Sequence, residues 1–177
     1  MTLPDAPLTL ILADDHAIVR MGFRLLLEGV GAHVLAEADC GEKAQQLMSE
    51  LNPDVLVMDL SMPGCGGLTA LERILARKPG QKVLIASAHA DAIIAERALK
   101  AGAAGYLCKR SPPDELLKAV NQVAAGQRYI DPEIAAALRR ADRPEHPAEA
   151  LTDKEFNVFL QLAQGRSVAE VAETFHL

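Results

Sequence analysis

The 177-residue chain has no tryptophan, and aromatic residues make up only 3% of it. Its core must therefore be built from Ala, Val, Ile and Leu, which suits a layered strand-and-helix architecture. Cysteine is scarce as well. Cys40, Cys65 and Cys108 are an odd number without zinc-ligand spacing, so they read as free thiols in a reducing cytosol. Cys65 and Cys108 lie near the functional positions named below, which leaves oxidation sensitivity as a second reading. Positive charge is short: 18 Lys and Arg stand against 24 Asp and Glu, for a net charge of −6. That balance excludes a chain that coats nucleic acid by bulk charge, although not a small local DNA-binding surface. No apolar run is long enough to span a bilayer, and Met1 to Pro7 lacks the basic stretch of a signal peptide. The expected location is cytoplasmic, with no membrane partner.

Apolar runs are nevertheless plentiful and short. They cover Leu8–Ala13, Val34–Ala38, Val55–Met58, Val83–Ala86 and Gly105–Leu107. Helical spacing separates them: Ile18, Gly22, Leu25 and Leu26 form one stripe, and Ala44, Leu47, Met48 and Leu51 a second. Leu68, Leu71 and Leu75 form a third, Ile94, Ala98 and Ala101 a fourth, and Leu116, Val120, Val123 and Ala124 a fifth. Five strands alternating with five helices predict an α/β fold. Its flavodoxin-like, doubly wound parallel sheet would have five strands in the order 2-1-3-4-5, with a small all-α segment after it. Residues 1–127 form this first unit. Ser111 is placed to cap the fifth helix, with Pro112 in its first turn.

A linker with a short helix occupies 128–150. Asp131-Pro132-Glu133 opens that helix, which runs to about Arg140, and 141–150 is polar and contains proline. Residues 151–177 start with a capping box, Thr152 and Glu155, with Leu151 and Phe156 placed as a staple. Gly165 is a terminator, and a second capping box follows at Ser167 and Glu170. The stripe containing Phe156 and Phe159 predicts packing on the first unit or on a second copy.

In a fold of this kind functional groups gather at the carboxyl ends of the strands. Asp14 and Asp15 end the first run, Asp59 the third and Ser87 the fourth, and Lys109 follows the fifth. Three carboxylates at adjacent strand ends suit Mg2+, a hard cation that takes a few oxygens and keeps its waters. An ammonium and a hydroxyl beside them suit a transferring phosphoryl group. Each residue has a plainer reading too: an Asp after a strand is commonly a turn former or helix cap, Ser87 a loop hydroxyl, and Lys109 a solvated charge. Their joint placement at four strand ends favours the functional set.

Residues 8 to about 126 resemble a bacterial response-regulator receiver domain. The resemblance is carried by Ile11-Leu12-Ala13-Asp14-Asp15-His16, Val57-Met58-Asp59-Leu60-Ser61-Met62-Pro63-Gly64, Ile85-Ala86-Ser87-Ala88 and Ala98–Lys109. It implies that Asp59 is the phosphoacceptor, and that Asp14, Asp15, Asp59 and the backbone carbonyl of Ser61 serve Mg2+. It further implies that Ser87 and Tyr106 form the switch and that Lys109 pairs with the phosphoryl oxygens. Ala88 would leave the site open. Arg110 stands where many receivers have proline. His16, His33 and His89 are read as surface residues.

Leu151-Thr152-Asp153-Lys154-Glu155 and Leu162–Ser167 resemble the start of a LuxR-type helix-turn-helix domain, as in NarL/FixJ-type regulators. In that family the next helix enters the major groove. The segment 151–177 is read as incomplete, lacking that recognition helix. Lys154 and Arg166 there face Asp153, Glu155, Glu170 and Glu173, so weak or no DNA binding is expected of this chain.

The resemblance implies a two-component response regulator, not an enzyme. A sensor histidine kinase would phosphorylate it, it would form a homodimer on phosphorylation, and the full-length form would bind DNA to regulate transcription. One alternative is a phosphorylation-controlled adaptor acting through protein contacts. Another is an aspartyl-phosphate phosphatase of the haloacid dehalogenase type, but that needs a second Asp where Ser61 stands.

Overall fold

The structure, a computed structural model, describes residues 6–140 and 147–176. Five βα units run in order: β1 (Thr9–Ala13), α1 (Ala17–Gly29), β2 (His33–Ala38), α2 (Gly41–Glu50), β3 (Val55–Met58), α3 (Gly67–Arg77), β4 (Lys82–Ser87), α4 (Ala92–Lys100), β5 (Gly105–Cys108) and α5 (Pro113–Ala124). A short strand β6 (Tyr129–Ile130) and a helix α6 (Pro132–Leu138) follow. After a 3-10 turn at Pro147–Ala150 come α7 (Asp153–Ala163) and α8 (Val168–Phe175).

The sheet is parallel in the order β2-β1-β3-β4-β5-β6. It is the expected flavodoxin-like arrangement with one strand more. Tyr129 and Ile130 pair with Gly105 and Tyr106. Two residues carry no periodicity, so the sequence pattern does not reveal this strand. It forms because Asp131 N–H donates to the Tyr106 carbonyl at 2.8 Å and buried Tyr129 fills the end of the core.

Strand residues alternate between two faces. Ile11, Ala13, Leu56, Met58, Ile85 and Tyr106 pack toward α2, α3 and α4. Leu10, Leu12, Val57, Leu84 and Leu107 pack toward α1 and α5. α1 departs from its expected stripe. Ile18 and Leu25 are 80% and 68% exposed, while Leu27 is buried and Phe23 and Leu26 pack with it. The helix is where periodicity puts it, but it is rotated because the face opposite the sheet also carries leucine and isoleucine.

α5 begins one residue later than its expected cap. Pro112 is its N-cap without a side-chain bond, and Ser111 Oγ instead donates to Asp131 Oδ2 at 2.5 Å. Asp131 caps α6 as expected, accepting from Glu133 N–H at 3.1 Å. Of the expected linker 141–150, residues 141–146 lie outside the described residues. Both capping boxes, at Thr152/Glu155 and Ser167/Glu170, are formed.

α7 packs on the first unit. Phe156 and Leu160, one turn apart, are both fully buried in the core layer of α2, α3 and α4. Arg97 of α4 clamps the entry to α7. Its guanidinium lies 4.3 Å from the Phe156 ring centroid and donates to the Leu151 carbonyl and Asp153 Oδ1, both at 2.7 Å.

Candidate functional site

Parallel strands leave their last backbone groups at one edge, and the loops there bring the polar residues together. Asp59 N–H donates to the Ala13 carbonyl at 2.8 Å, and Lys109 N–H to the Ser87 carbonyl at 2.8 Å. These bonds continue the sheet one residue past each strand and set the starting positions of the side chains. Asp14, Asp59, Ser61 and Ser87 are buried, and Asp15 is partly so.

Lys109 sits between two carboxylates. Its Nζ lies 2.5 Å from Asp14 Oδ2 and 3.0 Å from Asp59 Oδ2. Burial by itself lowers the ammonium pKa, but the charges of Asp59 and Asp14 outweigh it and raise the value. The Asp59 carboxyl is pushed upward, first by burial and then by Asp14, against the opposing pull of Lys109. Asp59 Oδ1 is buried with no hydrogen-bond donor among the described residues.

Glycine makes this packing possible at one point. A Cβ on Gly67 would lie 2.4 Å from the Asp59 carbonyl oxygen and 2.4 Å from Leu60 Cα. Gly67 N–H instead donates to the Leu60 carbonyl at 3.0 Å, so α3 starts directly against the loop that carries the acidic group.

Asp14, Asp15, His16 and Asp59 present ligand atoms all within 4.8 Å of one another. The carboxylate oxygens suit a hard divalent cation, and the donorless Asp59 Oδ1 is a free ligand position. The residues therefore fit Mg2+. His16 was expected at the surface and is half exposed, yet its Nδ1 lies 2.9 Å from Asp15 Oδ1 and 3.2 Å from Asp14 Oδ1. Its backbone N–H also donates to Asp14 Oδ1 at 2.8 Å, so Asp14 organises the turn into α1 as well as facing the site.

The remaining expected residues form a short relay. Ser87 Oγ accepts from His89 N–H at 3.2 Å, and the His89 carbonyl accepts from the Tyr106 hydroxyl at 2.8 Å. Tyr106 is fully buried, which together with nearby carboxylates pushes its hydroxyl pKa up. His89 is half-buried rather than a surface group. Burial lowers its pKa, against the opposing charges of Asp59 and Asp91. His33 is exposed, as expected, and Ala88 is exposed beside the site. Burial pushes the Cys65 thiol up to about 11, which lowers its thiolate fraction at neutral pH and disfavours the oxidation-sensitive reading.

Four more polar groups reach the site that strand-end reasoning does not find. Arg20 of α1 donates to the Asp14 carbonyl at 2.5 Å and to Glu37 at 3.0 Å. Gln161 Nε2 of α7 donates to the Ser61 carbonyl at 2.6 Å. Arg166 Nη2 donates to Asp15 Oδ2 at 2.6 Å. Asn157 Nδ2 donates to the Cys65 carbonyl at 3.2 Å and to Thr69 Oγ1 at 3.0 Å. No local pattern flags the last three, because Asn157 and Gln161 lie on α7, about a hundred residues along the chain from their partners, and Arg166 just after it. Arg20 reads from sequence only as a polar residue of α1.

Residues 10–121 match the response regulator receiver domain family. The chain belongs to this family. Among curated relatives, this response regulator is 38% identical over 168 residues to response regulator GacA of Pseudomonas aeruginosa, covering 92% of this chain and 78% of that protein. It is 35% identical over 175 residues to response regulator UvrY of Escherichia coli, covering 96% and 80%. Among solved structures, a LuxR-family two-component response regulator from Aurantimonas superposes with a TM-score of 0.73 at 40% identity, covering 75% of this chain and 96% of that one. The RcsB response regulator of Salmonella typhimurium superposes with a TM-score of 0.72 at 26% identity, covering 94% and 82%. The expected NarL/FixJ-type, LuxR-family kinship therefore holds. Among the described residues no helix is long and apolar enough to cross a membrane.

Proposed function

We propose that this response regulator takes a phosphoryl group on the Asp59 carboxylate from a phosphohistidine of a sensor histidine kinase. The observation that carries this reading is the buried Asp59, with one oxygen free of donors and the other 3.0 Å from Lys109 Nζ. The P–N bond of the donor breaks as the Asp59 oxygen forms the new P–O bond. Asp14, Asp15, Asp59 and the Ser61 carbonyl would hold Mg2+, which supplies charge neutralisation for the transferring oxygens. Lys109 holds the ammonium that pairs with the product phosphoryl. Asp14 keeps that ammonium in place at 2.5 Å when Asp59 is consumed.

Ser87 is the group that follows the phosphoryl. Its movement would pull on His89 N–H and so shift the carbonyl that Tyr106 holds. The output is regulation of transcription, with DNA bound through the LuxR-type segment of the full-length form and a homodimer formed on phosphorylation. An RcsB–DNA complex, 27% identical to this chain with a TM-score of 0.72, supports that reading. The protein works as a cytoplasmic regulator, and turnover of its own acyl phosphate is slow.

Incubation with a small phosphodonor and Mg2+ should give an acid-stable, base-labile adduct on the wild-type chain and none on Asp59→Asn. Equal labelling of the variant would overturn the assignment.

A further inference from the structure

We propose that Gln161 and Arg166 stand in for Mg2+ at the acidic site, so that docking of α7 and binding of Mg2+ exclude one another. The inference rests on the phosphoacceptor reading above and concerns the regulation of that same site.

Two of the protein oxygens assigned to Mg2+ are already engaged by the output segment. Gln161 Nε2 sits 2.6 Å from the Ser61 carbonyl, in a contact where both residues are almost fully buried. Arg166 Nη2 sits 2.6 Å from Asp15 Oδ2. Mg2+ needs its ligands at about 2.0–2.1 Å in near-octahedral array. An amide N–H and a guanidinium N–H aimed at the same oxygens bring positive hydrogens into the space that the cation and its waters require. Charge leads to the same conclusion. Of the three carboxylates Asp14, Asp15 and Asp59, Lys109 and Arg166 offset two in the docked form. Arg166 thus supplies counter-charge that Mg2+ would otherwise supply, and the two cations repel.

The end of α7 is built to deliver this pair together. Gly165, at φ +83°, closes the helix, with its N–H donating to the Leu162 carbonyl at 2.9 Å and Arg166 N–H to the Gln161 carbonyl at 3.3 Å. That is a Schellman turn, which folds Arg166 back beside Gln161. The docked contact is also readily broken. Gln161 Oε1, Asn157 Oδ1 and Ser61 Oγ are buried there without hydrogen-bond partners among the described residues. Release of α7 lets each of them meet water. Apolar burial of Phe156 and Leu160 holds α7 down, and the polar end beside the metal ligands is where it yields.

Binding and docking are linked reciprocally: whatever α7 costs Mg2+, Mg2+ costs α7. The test uses the whole 177-residue chain. Mg2+ is titrated calorimetrically, at constant ionic strength, into wild-type protein and into the double variant Gln161→Ala/Arg166→Ala. The variant should bind Mg2+ at least about fivefold more tightly. A second measurement needs no substitution: saturating Mg2+ should speed amide hydrogen exchange across Asp153–Ala163 of the wild-type protein. Equal Mg2+ affinities, or exchange in α7 that Mg2+ leaves unchanged, would overturn the inference while Asp59 labelling still stood. Absence of Mg2+ binding in both proteins, together with an unlabelled Asp59, would overturn the phosphoacceptor reading and this inference with it.

Discussion

Replacing Asp59 with asparagine should make the metal-free protein more stable while removing its proposed chemistry. Asp59 is 1% exposed and its Oδ1 has no donor among the described residues. Its folded-state pKa is raised, with burial the largest cause. A carboxylate of this kind stabilises the fold only when protonated, and that contribution is lost as pH rises through the raised value. At neutral pH the folded state therefore carries a cost that an amide of the same shape lacks. The loss of the Lys109–Asp59 attraction opposes the gain, but Lys109 keeps Asp14 at 2.5 Å. Asp14 and Asp15 then face Lys109 and Arg166 in balance. Relief of the buried Oδ1, which has no donor among the described residues, is worth about 1–3 kcal/mol. For a chain of this length each kcal/mol moves Tm by about 2–4 °C, so the expected rise is roughly 2–12 °C. Thermal unfolding followed by far-ultraviolet circular dichroism in chelator, at pH 7, measures it. Added Mg2+ should narrow the difference, because it favours the wild-type carboxylate. A Tm for Asp59→Asn equal to or below wild type in chelator would refute the electrostatic argument.

Two further outcomes follow from the same geometry. Gly67→Ala should cost about 1–3 kcal/mol in denaturant unfolding, since the new methyl meets backbone atoms of Asp59 and Leu60 that have no rotamer to yield; it should also slow labelling of Asp59, and a variant with unchanged stability would contradict the packing. His89, ordinarily near 6.5, has a lowered folded-state pKa from burial, so its contribution to stability is present above about pH 6.5 and lost as pH falls through the folded value. The Tm of metal-free wild type should therefore fall between pH 7 and pH 5 more steeply than that of His89→Gln, and parallel curves would show that His89 is not held neutral.

Much of the fold was legible because strand and helix periodicities are local. Each strand of the five-stranded core is close to where an apolar run lies, and both capping boxes near the carboxyl end formed as spelled out by Thr152/Glu155 and Ser167/Glu170. The acidic site was legible for a topological reason: parallel strands deliver their carboxyl ends to one edge, so Asp14, Asp59, Ser87 and Lys109 had to be neighbours. β6 was not, because two residues have no period. The rotation of α1 was not, because Ile18 and Leu25 are apolar yet face outward. Ser111 offered a plausible cap, but Asp131 outcompetes the helix for its hydroxyl.

By itself, then, the order of residues determined the elements, their parallel arrangement and the identity of the strand-end groups, since these depend on spacing along the chain. Tertiary structure alone decided what else meets the carboxylates. Gln161 and Arg166 look like an ordinary polar residue and an ordinary surface cation of a short helical segment. Phe156 and Leu160 bury that helix against the α2–α4 face, and only this long-range packing places an amide on Ser61 and a guanidinium on Asp15.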